Sequence, residues 1–302
     1  SLNTISSEFN LLRDEIEVMR KVCRTLPLKP HEGRSKNILN YGRATAYDLV
    51  DGVDLTQGSD LADTSTSYSP AEVGVQVVLA KTTMRRVADP DLYRQVGKMI
   101  ANAYKLKEDK DGCTALDSFS TSLGSAGTVL SPGHHFAGVT RCGLGNSTAN
   151  PEPAPDPIHA VYHPSQLHVL LGRIAPLATT PAGGTAFGID GGAHVGTSST
   201  VGRDKLGADI TTMGKKAITE LFGVKIWSDA NITVDSSSDA KGGIFSKEGL
   251  IYVPEMEPGR EDDNDASARS VELNYIGAYV WGLYRSAAYG VEMLFDATMP
   301  TS

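Results

Sequence analysis

The sequence predicts an α+β fold organised around one long helix, and three observations carry that reading. Asp89-Pro90 is a strong helix start, since Asp caps an N-terminus and proline fits the first helical position. Leu92, Val96, Met99, Ile100, Ala103 and Lys107 then recur at the spacing of one buried helical stripe. Just before it, Val73, Val75, Val77 and Leu79 alternate with Glu72, Gly74, Gln76 and Val78, which is strand periodicity. Asp109-Lys110-Asp111-Gly112 should stop the helix, giving Pro90 to Glu108 a length of roughly 28 Å. Arg94, Lys98 and Lys105 would occupy its surface.

Residues 4–24 form a candidate amphipathic helix, with Ile5, Phe9, Leu12, Ile16, Met19 and Cys23 near one face, ended by Pro27 and Pro30. Two placements are open: against its own domain, or as an arm on a neighbouring subunit. Residues 37–49 alternate as a strand, and residues 50–70 are a polar stretch. With Glu72 to Lys81 as the returning arm, the pair reads as a long β-hairpin with an open tip. A two-stranded ribbon with polar sides is marginal alone, so it should lie on something else.

Beyond the long helix, Ser118 to Gly138 is rich in small residues, and Asn150 to Pro157 in proline. Ile158 to Tyr162 reads as a short strand, with a helix from Ser165 to Ile174. Residues 176–205, rich in Gly, Thr and Ser, read as a long loop. A second helix is expected over Thr211–Phe222, C-capped by Gly223 before a strand from Val224 to Trp227. Lys247 to Val253 is a further strand, Glu255 to Asp265 an acidic turn-rich link, and Val271 to Phe295 long β segments punctuated by Gly277, Gly282 and Gly290.

With 302 residues, 40% hydrophobic and 21% charged, the composition is ordinary for a folded soluble protein. A net charge of −8 argues against binding nucleic acid through a broad basic surface. Three cysteines without CxxC pairing argue against a disulfide framework. No apolar signal region opens the chain, and the apolar run Ile276–Tyr284 is too short to span a bilayer.

No coherent catalytic set emerges. His159, His163 and His168 lie close in sequence, but Pro164 prevents an i, i+4 helical pair and no HExxH is present. Hydrogen-bonded or surface histidines are the alternative, and His134-His135 reads as loop. Gly143-Leu144-Gly145, Gly183-Gly184 and Gly191-Gly192 lack phosphate-cradling spacing. Glu261-Asp262-Asp263-Asn264-Asp265 reads as a solvated acidic loop, with cation attraction as the sharper alternative. No cofactor and no enzyme activity are expected.

The order of parts resembles the major capsid protein of tailed double-stranded DNA bacteriophages, the Hong Kong 97-like fold. The residues that carry the likeness are Tyr68-Ser69-Pro70-Ala71-Glu72-Val73 running to Val87-Ala88-Asp89-Pro90, Ala160 to Leu167, and Leu221-Phe222-Gly223-Val224-Lys225-Ile226. The resemblance implies an N-terminal arm (1–36), an extended β-hairpin loop (37–88), a peripheral domain (89–129 and 262–302) with spine helix 90–108, and an axial domain (130–261). It implies a virion protein that builds hexamers and pentamers of an icosahedral shell around DNA, assembled in the bacterial host cytoplasm. Portal and possible scaffolding or decoration proteins would be its partners, with no membrane. Asp89 and Pro90 would set where the spine begins, as a pivot between spine and loop. Arg43, Arg85 and Arg86 flank the hairpin and could pair with Asp51, Asp54, Asp60 or Glu72 of an adjacent chain.

Some members lock the shell by an isopeptide bond from a lysine on the extended loop. Here residues 37–80 contain no lysine, so contacts should be non-covalent. An encapsulin-like nanocompartment is the alternative within the fold. A metal-dependent or glycan-active enzyme using His159, His163 and the acidic loop is the alternative outside it.

Overall fold

The computed structural model describes residues 18–29, 31–41, 46–49, 51, 52, 54, 63–86, 92–145, 152–174 and 217–300. The chain opens with α1 (Met19–Val22), β1 (Arg24–Thr25), β2 (Lys36–Tyr41), β3 (Asp63–Tyr68) and β4 (Ala71–Ala80). It continues through α2 (Lys81–Arg86), α3 (Leu92–Ala115), a 3₁₀ turn Leu116–Ser118, β5 (Ser122–Gly124) and α4 (Pro132–Leu144). Then come β6 (Ile158–Tyr162), α5 (Pro164–Ile174), β7 (Ala217–Leu221) and β8 (Val224–Ser228). The last strands are β9 (Asp239–Ser246), β10 (Leu250–Asp265), β11 (Ser270–Leu283) and β12 (Gly290–Asp296).

A four-stranded sheet runs β1–β10–β11–β4 and packs on α3. Val73, Val75 and Val77 are half-buried against the core that Ile100, Tyr104, Leu273 and Tyr275 form, and Leu79 is buried in it. That apolar face decides the partner of β4. It pairs antiparallel with β11, from Ala71 opposite Tyr279 to Ala80 opposite Ser270. The expected hairpin is therefore corrected: the arm returning to β2 is β3, lying inside the polar stretch, in register from Lys36↔Tyr68 to Tyr41↔Asp63. Pro70 separates β3 from β4. The Thr/Ser alternation of β3 suits a strand without a core face.

The long helix is also longer than its sequence suggests, running 24 residues to Ala115, about 36 Å. Its buried positions come in pairs: Val96/Gly97, Ile100/Ala101, Tyr104/Lys105, Glu108/Asp109 and Gly112/Cys113. Met99, Ala103 and Lys107, expected inside, are exposed, and Lys105, expected outside, is buried. The reason lies in partners distant in sequence. Tyr252 donates its hydroxyl to Glu108 Oε1, and Trp281 Nε1 donates to the Glu108 carbonyl at 3.0 Å. Asp109 Oδ1 accepts the backbone N–H groups of Val18 and Met19 at 3.1 and 3.0 Å. Tyr279 donates to Asp111 Oδ2 at 3.0 Å, and Lys107 pairs with Asp111 one turn on at 2.6 Å. Gly112 is bare because a Cβ there would lie 2.9 Å from Met19 Cβ. Residues that read as a helix stop are the helix's fastening to the body. Asp89 and Pro90, its expected start, lie outside the described residues.

The second sheet has six strands in the order β5–β12–β9–β6–β8–β7. Helices α4 and α5 cover one face, where Tyr162, Leu167, Leu170, Ile244, Met293 and Phe295 form a core. On the other face Val161 and Phe245 join the core beneath α3. The start of α5 is a capping box: Gln166 Oε1 accepts the His163 N–H at 3.2 Å. Gln166 Nε2 then donates to the Ala240 and Phe295 carbonyls, both at 2.8 Å, tying the helix to two strands.

Three further expectations are corrected here. The stretch before residue 138 contains α4, N-capped by Ser131 with Pro132 at its first position, so His134 and His135 are helical. The helix expected up to Phe222 is, over its described part, strand β7. Phe222 and Gly223, with φ of 55° and 77°, form the two-residue turn of the β7–β8 hairpin. The acidic link Glu255–Asp265 is strand: Gly259 to Asp265 pairs residue for residue with β11. There, among the described residues, β10 is the sheet's edge, and a charged edge discourages pairing with other chains. The three cysteines are free and buried.

Two expected outcomes follow. Gly282 faces Tyr68, whose ring atoms would stand 2.2 and 2.3 Å from an added Cβ, whereas Gly259 has nothing within 4 Å. Gly282→Ala should lower stability by about 1–3 kcal/mol in denaturant titrations, with Gly259→Ala near neutral. The second concerns His135, which is fully buried. Its Nε2 faces the Leu221 carbonyl at 3.3 Å and must donate, so Nδ1 accepts from the Tyr162 hydroxyl at 2.9 Å. Burial holds the ring neutral and pulls its pKa down to about 4. A folded value below the unfolded one of ~6.5 means stability is fully present above that pH and drains away toward pH 4. The loss is up to about 3 kcal/mol from this group. A ring-proton NMR titration of His135 should give a midpoint near 4; a midpoint near 6.5 would contradict the burial argument.

Candidate assembly surface

The ribbon of β2 and β3 stands apart from both sheets and is held at its root. Ile38 and Tyr68 meet Leu26, Leu28, Ile251, Val253, Val280 and Tyr284 in a small apolar cluster. The Tyr68 hydroxyl donates to the Leu283 carbonyl at 2.7 Å, and burial raises its pKa to about 12. Segment 26–28 runs along β10, Leu26 N–H reaching the Tyr252 carbonyl and Leu28 N–H the Pro254 carbonyl, both at 2.9 Å. At the ribbon's other side Arg285 donates to the Tyr41 carbonyl at 3.0 Å. The same guanidinium pairs with Glu152 and lies over the Tyr284 and Tyr289 rings at 5.7 and 5.6 Å.

Away from the root the ribbon has little cover. Along β2 the residues alternate half-buried and exposed, leaving Leu39 49% and Tyr41 52% exposed. Beyond it Leu49 is 78% exposed. On α3, Met99 and Leu106 are both exposed, seven positions apart on a face turned from the sheet. Exposed apolar side chains on the ribbon and along one face of α3 make these two elements the candidate surfaces for meeting another protein.

The sequence-predicted contact residues are dispersed. Arg85 and Arg86 end α2 and are exposed, where cations also suit the free carbonyls of a helix C-terminus. Asp51, Asp54 and Glu72 are exposed, Glu72 on β4 opposite Ala278. Among the described residues no ion pair joins these groups within the subunit. Arg43 and Asp60 lie outside the described residues. Sequence reasoning missed Arg285 and Tyr68 as anchors and Leu39, Leu49, Met99 and Leu106 as exposed apolar groups. Alternation in 37–49 was visible; which face would find cover was not.

The histidines do not form a centre. His159 Nδ1 accepts the Trp227 indole N–H at 3.3 Å, and burial lowers its pKa to about 4. His163 Nδ1 accepts the Ser165 N–H at 3.3 Å, and His168 is exposed on α5. Among the described residues no group of three or more His, Cys, Asp or Glu is placed to hold a metal ion. No described helix is long and apolar enough to cross a membrane. Residues 1–17 of the arm lie outside the described residues; where the described part begins, Val18, Met19 and Val22 are fully buried in the subunit's own body.

No protein-family model and no curated protein matches the chain. Solved structures do. A chain from Mycobacterium phage Che8 superposes with a TM-score of 0.61 at 15% identity, covering 94% of this chain and 92% of its own. One from the capsid structure of the cyanophage P-SCSP1u gives 0.62 at 12% identity, covering 94% and 89%. One from the holo-SrpI encapsulin complex of Synechococcus elongatus PCC 7942 gives 0.60 at 10%, again covering 94% and 89%. At such identities the likeness is one of fold, and it spans nearly the whole chain: the chain has the Hong Kong 97-like fold of phage capsid proteins.

Proposed function

We propose that this chain is the major capsid protein of a tailed double-stranded DNA phage, assembling as hexamers and pentamers of an icosahedral head around the genome. The observation that carries the reading is the fold match over 94% of the chain to a structure described as a phage capsid. The subunit's own geometry supports it. A ribbon rooted by Tyr68 and Arg285 but uncovered along Leu39 and Tyr41 is unfinished in isolation and is completed by lying on a neighbour. Many modest contacts per subunit, repeated around a closed shell, give high overall stability through multivalency.

We assign the arm to 1–36, the extended loop to 37–88, the peripheral domain to 89–129 with 262–302, and the axial domain to 130–261, with β4 the part of 37–88 that pairs into the four-stranded sheet and β12 the part of 262–302 that pairs into the six-stranded one. Arg43, Arg85 and Arg86 are assigned to pairing with Asp51, Asp54, Asp60 or Glu72 of adjacent subunits, and Asp89-Pro90 to the pivot of spine and loop. The portal is its partner, with scaffolding and decoration proteins as further candidates, and the acidic chain encloses DNA without reading its sequence. The particle forms in the host cytoplasm and the chain resides in the virion.

A second reading, a nanocompartment enclosing a protein cargo, is favoured by the encapsulin match at a TM-score of 0.60. Both readings require a closed shell, and they differ in what natural particles contain: nuclease-protected double-stranded DNA or a cargo protein.

Negative-stain microscopy of the expressed chain should show uniform polyhedral particles, and a protein that stays monomeric would contradict both shell readings. Arg85→Glu with Arg86→Glu should cut particle yield at least about tenfold, the loss of some 1.4 kcal/mol per contact set, while circular dichroism and melting stay unchanged. Unchanged yield would remove those arginines from the interface. With no lysine in 37–80, denaturing gels of particles should show a single monomer band. A covalent ladder would refute non-covalent assembly.

A further inference from the structure

Two carboxylates face each other where the last strand ends. Asp239 opens β9 and Asp296 closes β12, and the two are direct partners in the antiparallel register. Neither bonds the other's backbone: the Asp239 N–H goes to Asp235 Oδ1 at 2.9 Å, and the Asp296 N–H to the Thr128 carbonyl at 2.8 Å. The neighbouring rung, Ala297 N–H to the Ser238 carbonyl at 2.7 Å, makes 239 and 296 a non-hydrogen-bonded pair. Side chains of such a pair share a face and stand closest, with Cβ atoms about 4.5–5.5 Å apart.

Donors reach one oxygen of each carboxylate. Asp239 Oδ1 accepts the Gly127 N–H at 2.8 Å, and Asp296 Oδ1 accepts the Thr298 N–H at 2.9 Å and its hydroxyl at 2.5 Å. Bonds of this kind favour the ionised form. Asp239 is 2% exposed, however, and its Oδ2 is buried with no hydrogen-bond partner. A bare, buried carboxylate oxygen beside a second carboxylate is costly unless a cation compensates it. Lys241 lies two positions along β9 on the same face, but its ammonium is taken by Asp117 at 2.5 Å and Glu292 at 3.6 Å. Arg20 lies over the Tyr252 ring and Arg260 pairs with Asp262, both on β10 of the other sheet. Lys105 and Arg94 stand ten or more residues before the end of α3 at Ala115.

We propose that Asp239 and Asp296 are the carboxylate ligands of a divalent-cation site of the calcium class, set where the 125–128 loop, the 235–239 loop and the end of β12 meet.

The donor chemistry selects the ion. The groups that converge here are oxygens, which suit a hard cation. Beside the two carboxylates, the Thr128 and Ser238 carbonyls each spend one lone pair on the bonds above and keep another. The Ser125 and Thr128 hydroxyls lie 2.8 Å apart on the same loop. Calcium accepts about six to eight oxygens in flexible geometry, carbonyls included, whereas magnesium demands a stricter octahedron. The ion fastens the end of β12 to both loops. It does so within one subunit, so the site stands whether or not the chain builds a shell.

Isothermal titration of the full chain with CaCl2, after treatment with EDTA and dialysis, tests it. One ion per chain is expected, with a dissociation constant on the order of 10⁻⁴ M. Calcium at about 5 mM should raise the melting temperature by at least about 2 °C over EDTA. Asp239→Asn should weaken binding at least about tenfold and remove the thermal shift. Asp296→Asn, at a half-exposed position, should do the same. Glu261→Gln with Asp263→Asn, on the exposed edge of β10, should leave both readings unchanged. A native chain that shows neither heat nor thermal shift overturns the site. So does binding that survives either aspartate variant, or that disappears with the β10 variant. Should Asp239→Asn not fold, Asp296→Asn and the native titration decide.

Discussion

The frame depends on a polar clasp between one sheet and the last turns of α3. Tyr252, Tyr279 and Trp281 stand together on β10 and β11, with Tyr252 and Trp281 centroids 4.7 Å apart. Each turns its polar end to the helix: Tyr252 to the Glu108 carboxylate, Trp281 to the Glu108 carbonyl, and Tyr279 to Asp111. Aromatic rings bring large apolar area, while their N–H and O–H groups demand a partner in a buried site. Burial raises the pKa of both tyrosines, so they remain donors. The helix cannot slide or roll on the sheet without leaving several buried groups unsatisfied, each costing about 1–3 kcal/mol.

Rigidity there is what lets the outlying parts be long. Tyr104 reaches over β11 only because Gly277 lacks a side chain, and Tyr68 roots the ribbon in the similar gap at Gly282. From those fixed points β2 and β3 project with an uncovered outer side, and Asp109 holds the chain at Val18 and Met19. A stiff body with reaching elements is what the proposed shell asks of its subunit.

What the sequence disclosed and withheld divides along a physical line. Features set by neighbours in the chain were legible: the alternation of Val73 to Leu79, the strands within Val271 to Phe295, the helix start at His163-Pro164. The order of such parts, more than any one motif, pointed to the Hong Kong 97-like fold. What failed was decided by distant partners. Asp109, Asp111 and Gly112 look like a helix stop until Val18, Tyr279 and Met19 are in place. Acidic Glu255 to Asp265 looks like a turn until β11 pairs with it. The β2 partner was misjudged because β4 offers stronger strand periodicity than β3, and that apolar face commits β4 to the core instead. Ser131-Pro132 carried the same capping signal that marked Asp89-Pro90 and was masked by the small residues around it. The contact residues were least legible, since a subunit's sequence records charge and apolarity but not which neighbour will cover them.

The central claim is that the ribbon is completed by another subunit. The most direct measurement is amide hydrogen exchange over residues 36–41 and 63–68 in the free subunit and in assembled particles. Weak protection in the subunit that rises at least about tenfold on assembly is the expected result. Equal protection in both states would contradict it, because the ribbon would then be finished within its own chain.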